Sequence, residues 1–406
     1  MSTPRIASLP LNTGKYPRAA SMLQRLLSQH LRAGSLELRT PNGETWHFDG
    51  VEDGPRAQWQ IHDWRVMRYV LQDGDVGLGR AYFEGLWDSP DPAQLIALAL
   101  HNRHAVESWI QGSWWRRRFF WLLDQFRPNT RRGSRRNIAE HYDLGNDFYQ
   151  LWLDPSMSYS SACFDDNRHE ELSHAQERKY ALALESLALP KDSQILEIGC
   201  GWGGFAEYAA RQGYRVHGIT LSREQLRYAE ARIRNAGLSE RVELEYCDYR
   251  DVKGLYDGIV SIEMFEAVGR EWWPTYFRRL NSLLRAGGRV LLQTIHITDA
   301  QYPQYCRGSD FIRRYVFPGG FLPSPTALRE ELRKARLQVL GEHQFGQDYA
   351  RTLRAWRTKF DAETEALAQL GYDHTFQRLW RFYLAYCEGG FLEGSIGVGQ
   401  WTLAHG

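Results

Sequence analysis

The sequence predicts a doubly wound α/β domain that follows a smaller α+β domain. Two observations indicate the larger domain. Strand and helix patterns alternate from about residue 165 onward, as they do in a parallel sheet with helices on both faces. The first strand of this series runs into a glycine turn, ILEIGCGWGG at 195–204, which opens a helix. Because ligands of such sheets bind at the carboxyl ends of the strands, this turn marks the expected binding site.

The elements of the larger domain are predicted from short apolar runs for strands and from apolar residues at helical spacing for helices. Strands are expected at 193–199, 214–220, 242–248, 256–262 and 289–297. Helices are expected at 168–186, 202–212, 222–236 and 272–285, with further helical stretches at 325–335, 348–368 and 373–388. This order of elements predicts a parallel sheet whose strands are joined by helices.

The region before residue 125 has a different pattern. A hairpin is predicted over 35–48, with its turn at the sequence PNG. Helical spacing is found at 62–72 and 91–102, and a stretch rich in glycine and aromatic residues lies between them at 74–88. This mixture predicts a separate α+β domain.

A basic segment connects the two domains. Residues 114–137 contain eight arginines and a single acidic residue, Asp124. Two interpretations stay open: the segment lies on lipid headgroups, or it is a helix packed on its own domain and followed by a basic linker. The predicted boundaries are 1–125 for the first domain, 126–140 for the linker and 141–406 for the larger domain.

Composition and charge exclude several classes of protein. Lys and Arg number 50 against 49 Asp and Glu, so a net charge of +1 gives no general attraction for nucleic acid. The five cysteines are scattered without a C-x-x-C pair, so we expect neither a disulfide framework nor a metal site. Residues 1–21 lack the apolar core of a signal peptide, and no window of about 18 apolar residues is present. We therefore expect a cytoplasmic location.

The glycine turn poses a choice between cofactors. Gly199, Gly201 and Gly204 match the dinucleotide fingerprint loosely, but Trp202 and Glu197 bring bulk and negative charge to the place where a pyrophosphate would lie. The second strand ends in TLS at 220–222, without the acidic residue that a dinucleotide ribose requires. The order Glu-x-Gly-x-Gly instead resembles the loop of class I S-adenosylmethionine (AdoMet) methyltransferases.

Three further motifs extend this resemblance over nearly the whole chain. They are HYDLGNDFYQLWLDPSMSYSSACF at 141–164, GITLSREQ at 218–225 and SIEMFEAVG at 261–269. Together with the glycine turn they resemble the cyclopropane-fatty-acid synthase family, whose members modify unsaturated phospholipid acyl chains or mycolic acids. The resemblance implies a Rossmann-like AdoMet methyltransferase sheet. It also implies that residues 1–125 form a sterol-carrier-like domain that recognises lipid.

The resemblance assigns a set of residues to AdoMet. A Tyr-Ser pair and the glycine turn contact the cofactor, two residues hold its ribose, and three surround its adenine. In that order the positions in this sequence are Tyr159, Ser160, Gly199, Gly201, Leu221, Gln225, Asp248, Tyr249 and Ile262. The family usually has Trp where Tyr249 stands, and both side chains can stack on adenine.

The resemblance also implies a catalytic bicarbonate ion. Its shell corresponds to Ser161, Glu266, Gln293, the backbone of Ile295, and Tyr349. The family typically has Cys in place of Ser161 and His in place of Gln293. It often has His where this sequence has Ala267. Because serine and glutamine both donate hydrogen bonds, the sequence still predicts an anion site, although a weaker one whose loss would change the product.

The expected reaction is methyl transfer to an alkene. The attack leaves a carbocation on the acyl chain, and a base must then remove a proton. We expect Glu266 to control this proton and the product to be a cyclopropane fatty acid. A methyl-branched or methylene product stays open as an alternative. So does N-methylation of a bulky amine, which the pair Glu263 and Glu266 would suit, and so does a lipid-binding protein with a vestigial site.

The expected partner is a phospholipid bilayer. A protein that takes acyl chains from a membrane is expected to lie on its inner face, and a homodimer is compatible with the sequence. Candidate contacts are the aromatic and basic residues 114–121 and the stretch SDFIRRYVFPGG at 309–320. Within the latter, Arg313 and Arg314 are candidates for binding headgroup phosphates.

Overall fold

The computed structural model describes residues 18–103, 144–165 and 170–406, which form two β-sheets with helices packed around them. The basic segment 114–137 lies outside the described residues. Among the helices in the described ranges, none is both long and apolar enough to cross a bilayer.

The N-terminal part contains a four-stranded sheet and three helices. Its strands are in the order β2-β1-β3-β4. In chain order its elements are α1 (Arg18–His30), β1 (Ala33–Arg39), β2 (Thr45–Asp49), β3 (Glu52–Ile61), α2 (Arg65–Phe83), β4 (Trp87–Asp88) and α3 (Pro92–His101). The predicted hairpin is confirmed, because β1 and β2 pair in antiparallel fashion.

Two features of this part differ from the prediction. Helix α2 extends beyond the predicted segment 62–72 into the glycine-rich stretch, with a kink at Gly74, whose φ of 60° is not helical. Strand β3 was not predicted, because most of its side chains are exposed and polar. It pairs in parallel with β1, and this long-range pairing rather than an apolar pattern defines it.

The C-terminal part is built on a seven-stranded sheet. Its first elements are α4 (Asn146–Gln150), α5 (Leu172–Leu187), β5 (Gln194–Ile198), α6 (Gly204–Arg211), β6 (Arg215–Thr220), α7 (Arg223–Asn235), β7 (Val242–Tyr246), β8 (Tyr256–Ile262), α8 (Trp273–Leu283) and β9 (Leu284–Ile297). Its last elements are α9 (Tyr302–Tyr305), α10 (Phe311–Tyr315), α11 (Pro325–Lys334), β10 (Leu337–Gln344), α12 (Gly346–Ala362), α13 (Thr364–Gln369), α14 (His374–Leu392) and β11 (Ile396–His405).

The predicted parallel sheet is confirmed. The strand order is β10-β11-β9-β8-β5-β6-β7, and strands β5 to β9 are parallel. The sequence did not predict β10 and β11, which add an antiparallel pair to the edge. The chain order reverses at β5, with β6 and β7 on one side and β8 and β9 on the other. A crevice is therefore expected at the carboxyl end of β5, where the glycine turn lies.

Helix α14 joins the two parts. One apolar core contains Trp87 and Ile96 of the N-terminal part together with Phe382 of α14. A Cβ added at Gly389 would lie 2.8 Å from Ile96, so glycine allows the close approach of α14 to α3. Arg378 of α14 also donates to the carbonyl oxygens of Tyr82 and Trp87 at 2.8 and 2.9 Å.

Candidate active site

A cavity that is partly open to solvent lies at the carboxyl ends of β5, β6 and β8. The glycine turn forms one wall. Gly199, Gly201 and Gly203 have φ values of 88°, 51° and 82°, which side chains rarely adopt. A Cβ at Gly199 would also lie 2.8 Å from the side chain of Met264. The glycines therefore allow a bend that keeps this wall open to a ligand.

Most of the residues that the resemblance assigns to the cofactor line this one cavity. They are Tyr159, Ser160, Gly199, Gly201, Leu221, Gln225, Tyr249 and Ile262. Asp248 does not line it. Its carboxylate is buried and binds Arg250 through contacts of 2.6 and 2.8 Å. The structure thus brings the predicted set together, except for the side chain of Asp248.

A buried carboxylate in the cavity wall fits a cationic cofactor. Glu197 is 4% exposed, and its Oε2 atom has no hydrogen-bond partner in the described part of the chain. Burial raises the pKa of Glu197 to about 8, while the charge of Lys179 opposes this shift. A cationic group in the cavity would stabilise the ionised form. AdoMet carries an ammonium and a sulfonium group, so the residues present fit this cofactor.

A second carboxylate, Glu263, also lines the cavity, and it gathers three of the predicted catalytic residues. Its Oε1 atom accepts hydrogen bonds from the main-chain nitrogen of Ser161 and from Nε2 of Gln293, both at 2.8 Å. Its Oε2 atom accepts a hydrogen bond from the hydroxyl of Tyr349 at 2.6 Å. Glu263 also has a left-handed backbone with φ of 49°, a strained conformation often found at functional sites.

The predicted carboxylate, Glu266, binds the other predicted member. Its Oε1 atom accepts from the main-chain nitrogen of Ile295 at 2.5 Å and from the hydroxyl of Thr294 at 3.0 Å. Its Oε2 atom is buried and has no partner among the described residues. The sequence predicted one shell around Glu266 and an anion. The structure instead divides the other four residues between two neighbouring carboxylates, three on Glu263 and Ile295 on Glu266.

The hydroxyl of Ser161 is not part of the shell. It donates to the carbonyl oxygen of Ala162 at 2.9 Å, and only the main-chain N–H of Ser161 faces Glu263. The sequence predicted that this hydroxyl would act as an anion donor in place of a family cysteine, whereas in this structure the group that faces Glu263 is the main-chain N–H. The main-chain nitrogen is present whatever the side chain is, so the sequence could not identify it as the donor.

The two carboxylates titrate as a pair. Burial raises the pKa of both, and the neighbouring charge of Glu263 contributes to the rise to about 8 at Glu266. Hydrogen bonds oppose the rise at both groups, with Tyr349, Gln293 and Ser161 acting on Glu263 and Thr294 and Ile295 acting on Glu266. Because two adjacent buried carboxylates do not ionise together readily, the pair favours a state that shares one proton.

Sequence reasoning did not assign a role to several residues of this region. Gln400, on β11, donates to the Oε1 atom of Gln293 at 3.1 Å, which fixes the orientation of that amide. Lys179 lies fully buried on α5. Glu263 was considered only as a partner for an amine. The sequence feature that could have identified Glu263 is the pair of acidic residues in EMFE, which lies directly after a predicted strand.

Comparisons with known proteins identify the family. The profile of the family described as mycolic acid cyclopropane synthetase matches residues 129–401. The chain belongs to this family. It is 39% identical over 352 residues to the tuberculostearic acid methyltransferase UfaA1 of Mycobacterium tuberculosis, covering 83% of this chain and 81% of that protein. It is 34% identical to the cyclopropane-fatty-acyl-phospholipid synthase of Escherichia coli, covering 83% and 85% respectively.

Solved structures agree with this assignment. The cyclopropane synthase MmaA2 from Mycobacterium tuberculosis superposes with a TM-score of 0.62 at 30% identity, covering 66% of this chain and 98% of that one. Mycolic acid cyclopropane synthase CmaA1, complexed with S-adenosylhomocysteine and CTAB, gives 0.61 at 30% identity, covering 66% and 97%. The chain is an AdoMet-dependent methyltransferase with the predicted Rossmann-like fold, and the choice of AdoMet over a dinucleotide is confirmed.

Proposed function

We propose that this enzyme transfers a methyl group from AdoMet to the double bond of an unsaturated phospholipid acyl chain. Membership of a family whose named relatives modify fatty acids supports methyl transfer to lipid acyl chains. The observation that carries the finer proposal is the Glu263 carboxylate in the cavity wall, held by Ser161, Gln293 and Tyr349. It supplies the fixed base that a carbocation reaction requires.

The residues of this chain account for each requirement of the reaction. AdoMet supplies an electrophilic methyl group when bound. The alkene electrons form the new carbon–carbon bond, and the sulfur keeps the electrons of the bond that breaks. Glu263 is buried and has three donors, so it is placed as the carboxylate that accepts the proton lost by the carbocation. This assigns to Glu263 the role that the sequence gave to Glu266.

Glu263 also bears on the proposed bicarbonate ion. The donors that the resemblance assigns to bicarbonate are Gln293 and Tyr349, and both already bind the Glu263 carboxylate. We propose that this side chain takes the place of the free anion. A base tethered to the protein cannot move with the substrate as an ion can, so the way in which the cation loses its proton is expected to change.

We infer that the product is a methylene-branched or methyl-branched unsaturated acyl chain. The replaced anion supports this, and so do named relatives: a tuberculostearic acid methyltransferase at 39% identity and a probable fatty acid methyltransferase of Pseudomonas putida at 38%. A saturated methyl branch would need a hydride from a separate reductase, because the reaction itself adds only CH2. A cyclopropane, which the sequence predicted, is the rival product.

An apolar groove supports lipid recognition by residues 1–125. Leu23, Leu27 and Leu78 line it from the N-terminal part, and Ile297 and Tyr305 line it from the C-terminal part. Moving one methylene from lipid to water costs about 0.8 kcal/mol, so exposing a 16-carbon chain costs on the order of 10 kcal/mol. An enzyme that modifies acyl chains therefore needs an apolar surface close to the membrane. We propose that this groove is part of that surface.

One proposed headgroup contact is revised by the structure. Arg313 is 10% exposed in its side chain and binds Asp310 at 3.1 Å. It also donates to the carbonyl oxygens of Tyr305 and Gly308. Because its guanidinium group is already engaged within the protein, Arg313 is a structural residue here. Arg314 stays a candidate for headgroup phosphates.

The named relatives do not favour the amine alternative. Three of them, which are 39%, 38% and 34% identical, are named for fatty acid or fatty-acyl phospholipid modification. Coclaurine N-methyltransferase superposes with a TM-score of 0.60 at 18% identity, and this similarity supports the fold alone.

The deciding experiment analyses the product. The enzyme is incubated with AdoMet and vesicles of monounsaturated phospholipid, and the released fatty acids are studied by mass spectrometry and proton NMR. We expect a gain of one CH2 with olefinic or exomethylene proton signals. Cyclopropyl signals would refute the inferred product but keep the methyl transfer. Failure to modify any acyl chain, with AdoMet bound, would refute the proposed substrate.

A further inference from the structure

Lys179 is a buried charge to which the reaction chemistry assigns no role. It lies on α5 and is 0% exposed. Its ammonium group donates to Oγ of Ser160 at 2.7 Å and to Oε1 of Gln176 at 2.6 Å. Burying a charged amine is costly unless hydrogen bonds and opposite charges compensate it, so a lysine at this position requires a physical explanation.

The two partners of Lys179 connect it to the cofactor cavity. Ser160 lines that cavity, and Gln176 donates to its carbonyl oxygen at 3.0 Å. Gln176 and Lys179 are three residues apart on α5, so they share one helix face. A single turn of this helix therefore holds both the hydroxyl and the carbonyl group of Ser160.

The direction of these hydrogen bonds determines what Ser160 can do. Lys179 can only donate, so Oγ of Ser160 acts as the acceptor and keeps its own hydrogen for another partner. Within the described ranges this hydroxyl donates to no protein group. It is therefore free to donate to an acceptor in the cavity, and the amino-acid end of AdoMet carries such an acceptor, its carboxylate.

The charges around Lys179 fit the same arrangement. Burial lowers its pKa to about 8, while the carboxylates of Glu263, Asp154 and Glu197 oppose this shift, in decreasing order. Glu197 lies in the same cavity wall as Ser160 and has an unpartnered oxygen. The wall thus offers a donor backed by a cation and, separately, an anion. A zwitterionic amino-acid group matches this pair.

We propose that Lys179 is a positioning residue for AdoMet, which holds the Ser160 hydroxyl so that it donates to the carboxylate of the cofactor. Glu197 receives the ammonium group of the same end. The role of Lys179 is indirect, because the lysine does not line the cavity itself. The proposal rests on the cofactor alone and does not depend on the acyl substrate or on the product.

The test compares two ligands that differ in the amino-acid end. S-adenosylhomocysteine carries this end, and 5′-methylthioadenosine lacks it. Calorimetry with the full-length protein should show that Lys179→Met weakens S-adenosylhomocysteine binding about tenfold or more, since a charge-supported hydrogen bond is lost. Binding of 5′-methylthioadenosine should change less than about twofold. The exposed Lys253 provides the matched control, Lys253→Met, which should behave as the parent protein.

Ser160→Ala keeps the test decisive if the lysine variant does not fold. It should show the same selective loss, and the double variant should lose no more than about threefold beyond either single variant, because both changes remove one interaction. Equal weakening of the two ligands in Lys179→Met would indicate a general structural role and overturn the proposal. Unchanged S-adenosylhomocysteine binding in Ser160→Ala, or additive losses in the double variant, would overturn it as well.

Discussion

The wall around the glycine turn and the pair of carboxylates beside it share one cavity, but different parts of the chain determine them. The wall is formed by backbone that folds locally, at the ends of consecutive strands and within short motifs. The carboxylate pair depends on contacts between distant segments: Ser161 and Tyr349 are 102 and 86 residues from Glu263. A short sequence motif is therefore enough to predict the wall. Which residues the side chains of Glu263 and Glu266 contact can be determined only from the tertiary structure.

The most severe test of the carboxylate region is Glu263→Gln. The variant keeps the shape of the side chain but replaces one acceptor oxygen with an NH2 donor and removes the proposed base, so we expect turnover to fall about 10²- to 10⁴-fold. Binding of S-adenosylhomocysteine, measured by calorimetry, should stay within about threefold of the parent value. This outcome would show that the carboxylates act in the reaction, whereas the wall around the glycine turn binds the cofactor.

Glu266→Gln is the matched control for this change. The donors Ser161, Gln293 and Tyr349 all bind Glu263, so an amide at position 266 leaves the proposed base and its donors in place, and we expect a much smaller loss of turnover. Equal losses in the two variants would mean that the carboxylates act as one unit. A larger loss in Glu266→Gln would mean that Glu266 is the residue that controls the proton, as the sequence predicted.

The glycine wall is tested by Gly199→Ala. The added Cβ would lie 2.8 Å from Met264, and the residue would keep a φ of 88°, so the turn must shift. A left-handed alanine costs about 1–2 kcal/mol, which corresponds to a loss of AdoMet affinity of about five- to thirtyfold if the strain is relieved at the binding surface. Calorimetry with S-adenosylhomocysteine measures this. Gly237→Ala, where a Cβ meets nothing within 4 Å, is the control for left-handed strain alone.

Tyr349→Phe changes the environment of the proposed base without removing it. The Tyr349 hydroxyl donates to Glu263, and this hydrogen bond lowers the pKa of the carboxyl group. Its loss should raise that pKa, so the acidic limb of the profile of kcat/KM against pH should move to higher pH. We also expect turnover to fall about tenfold, as one hydrogen bond to a charged group is lost. A profile shifted to lower pH, or left in place, would contradict the role of Glu263 as the base.

The sequence predicted the parallel sheet and most of the cavity wall because both follow from local patterns. Apolar runs mark strands β5 to β9, and the positive φ of Gly199 is what a glycine at that turn permits. It did not predict β10 and β11, since β10 is mostly exposed and both strands are defined by pairing. It named the residues around the carboxylates but placed them all around Glu266, whereas three of them bind Glu263 in the structure. The EMFE motif alone does not show which of its two acids faces which donor.

The smallest expected effect concerns bicarbonate, and it sharpens the contrast between the two regions. Gln293 and Tyr349 already donate to Glu263, so the proposed role of this carboxylate predicts that the catalytic step does not require a free anion. Turnover in buffer purged of carbon dioxide should therefore stay within about twofold of turnover in buffer with added bicarbonate, a difference below that of one neutral hydrogen bond.

The variant Glu263→Ala tests the same idea from the opposite direction. It removes the carboxylate and leaves the donors of Gln293 and Tyr349 available to a small anion. If added bicarbonate restores turnover in this variant, the carboxylate and the ion perform the same task. A strong dependence on bicarbonate in the parent enzyme would instead show that Glu263 turns away from its donors during catalysis, and the carboxylate region would then be built around an ion after all.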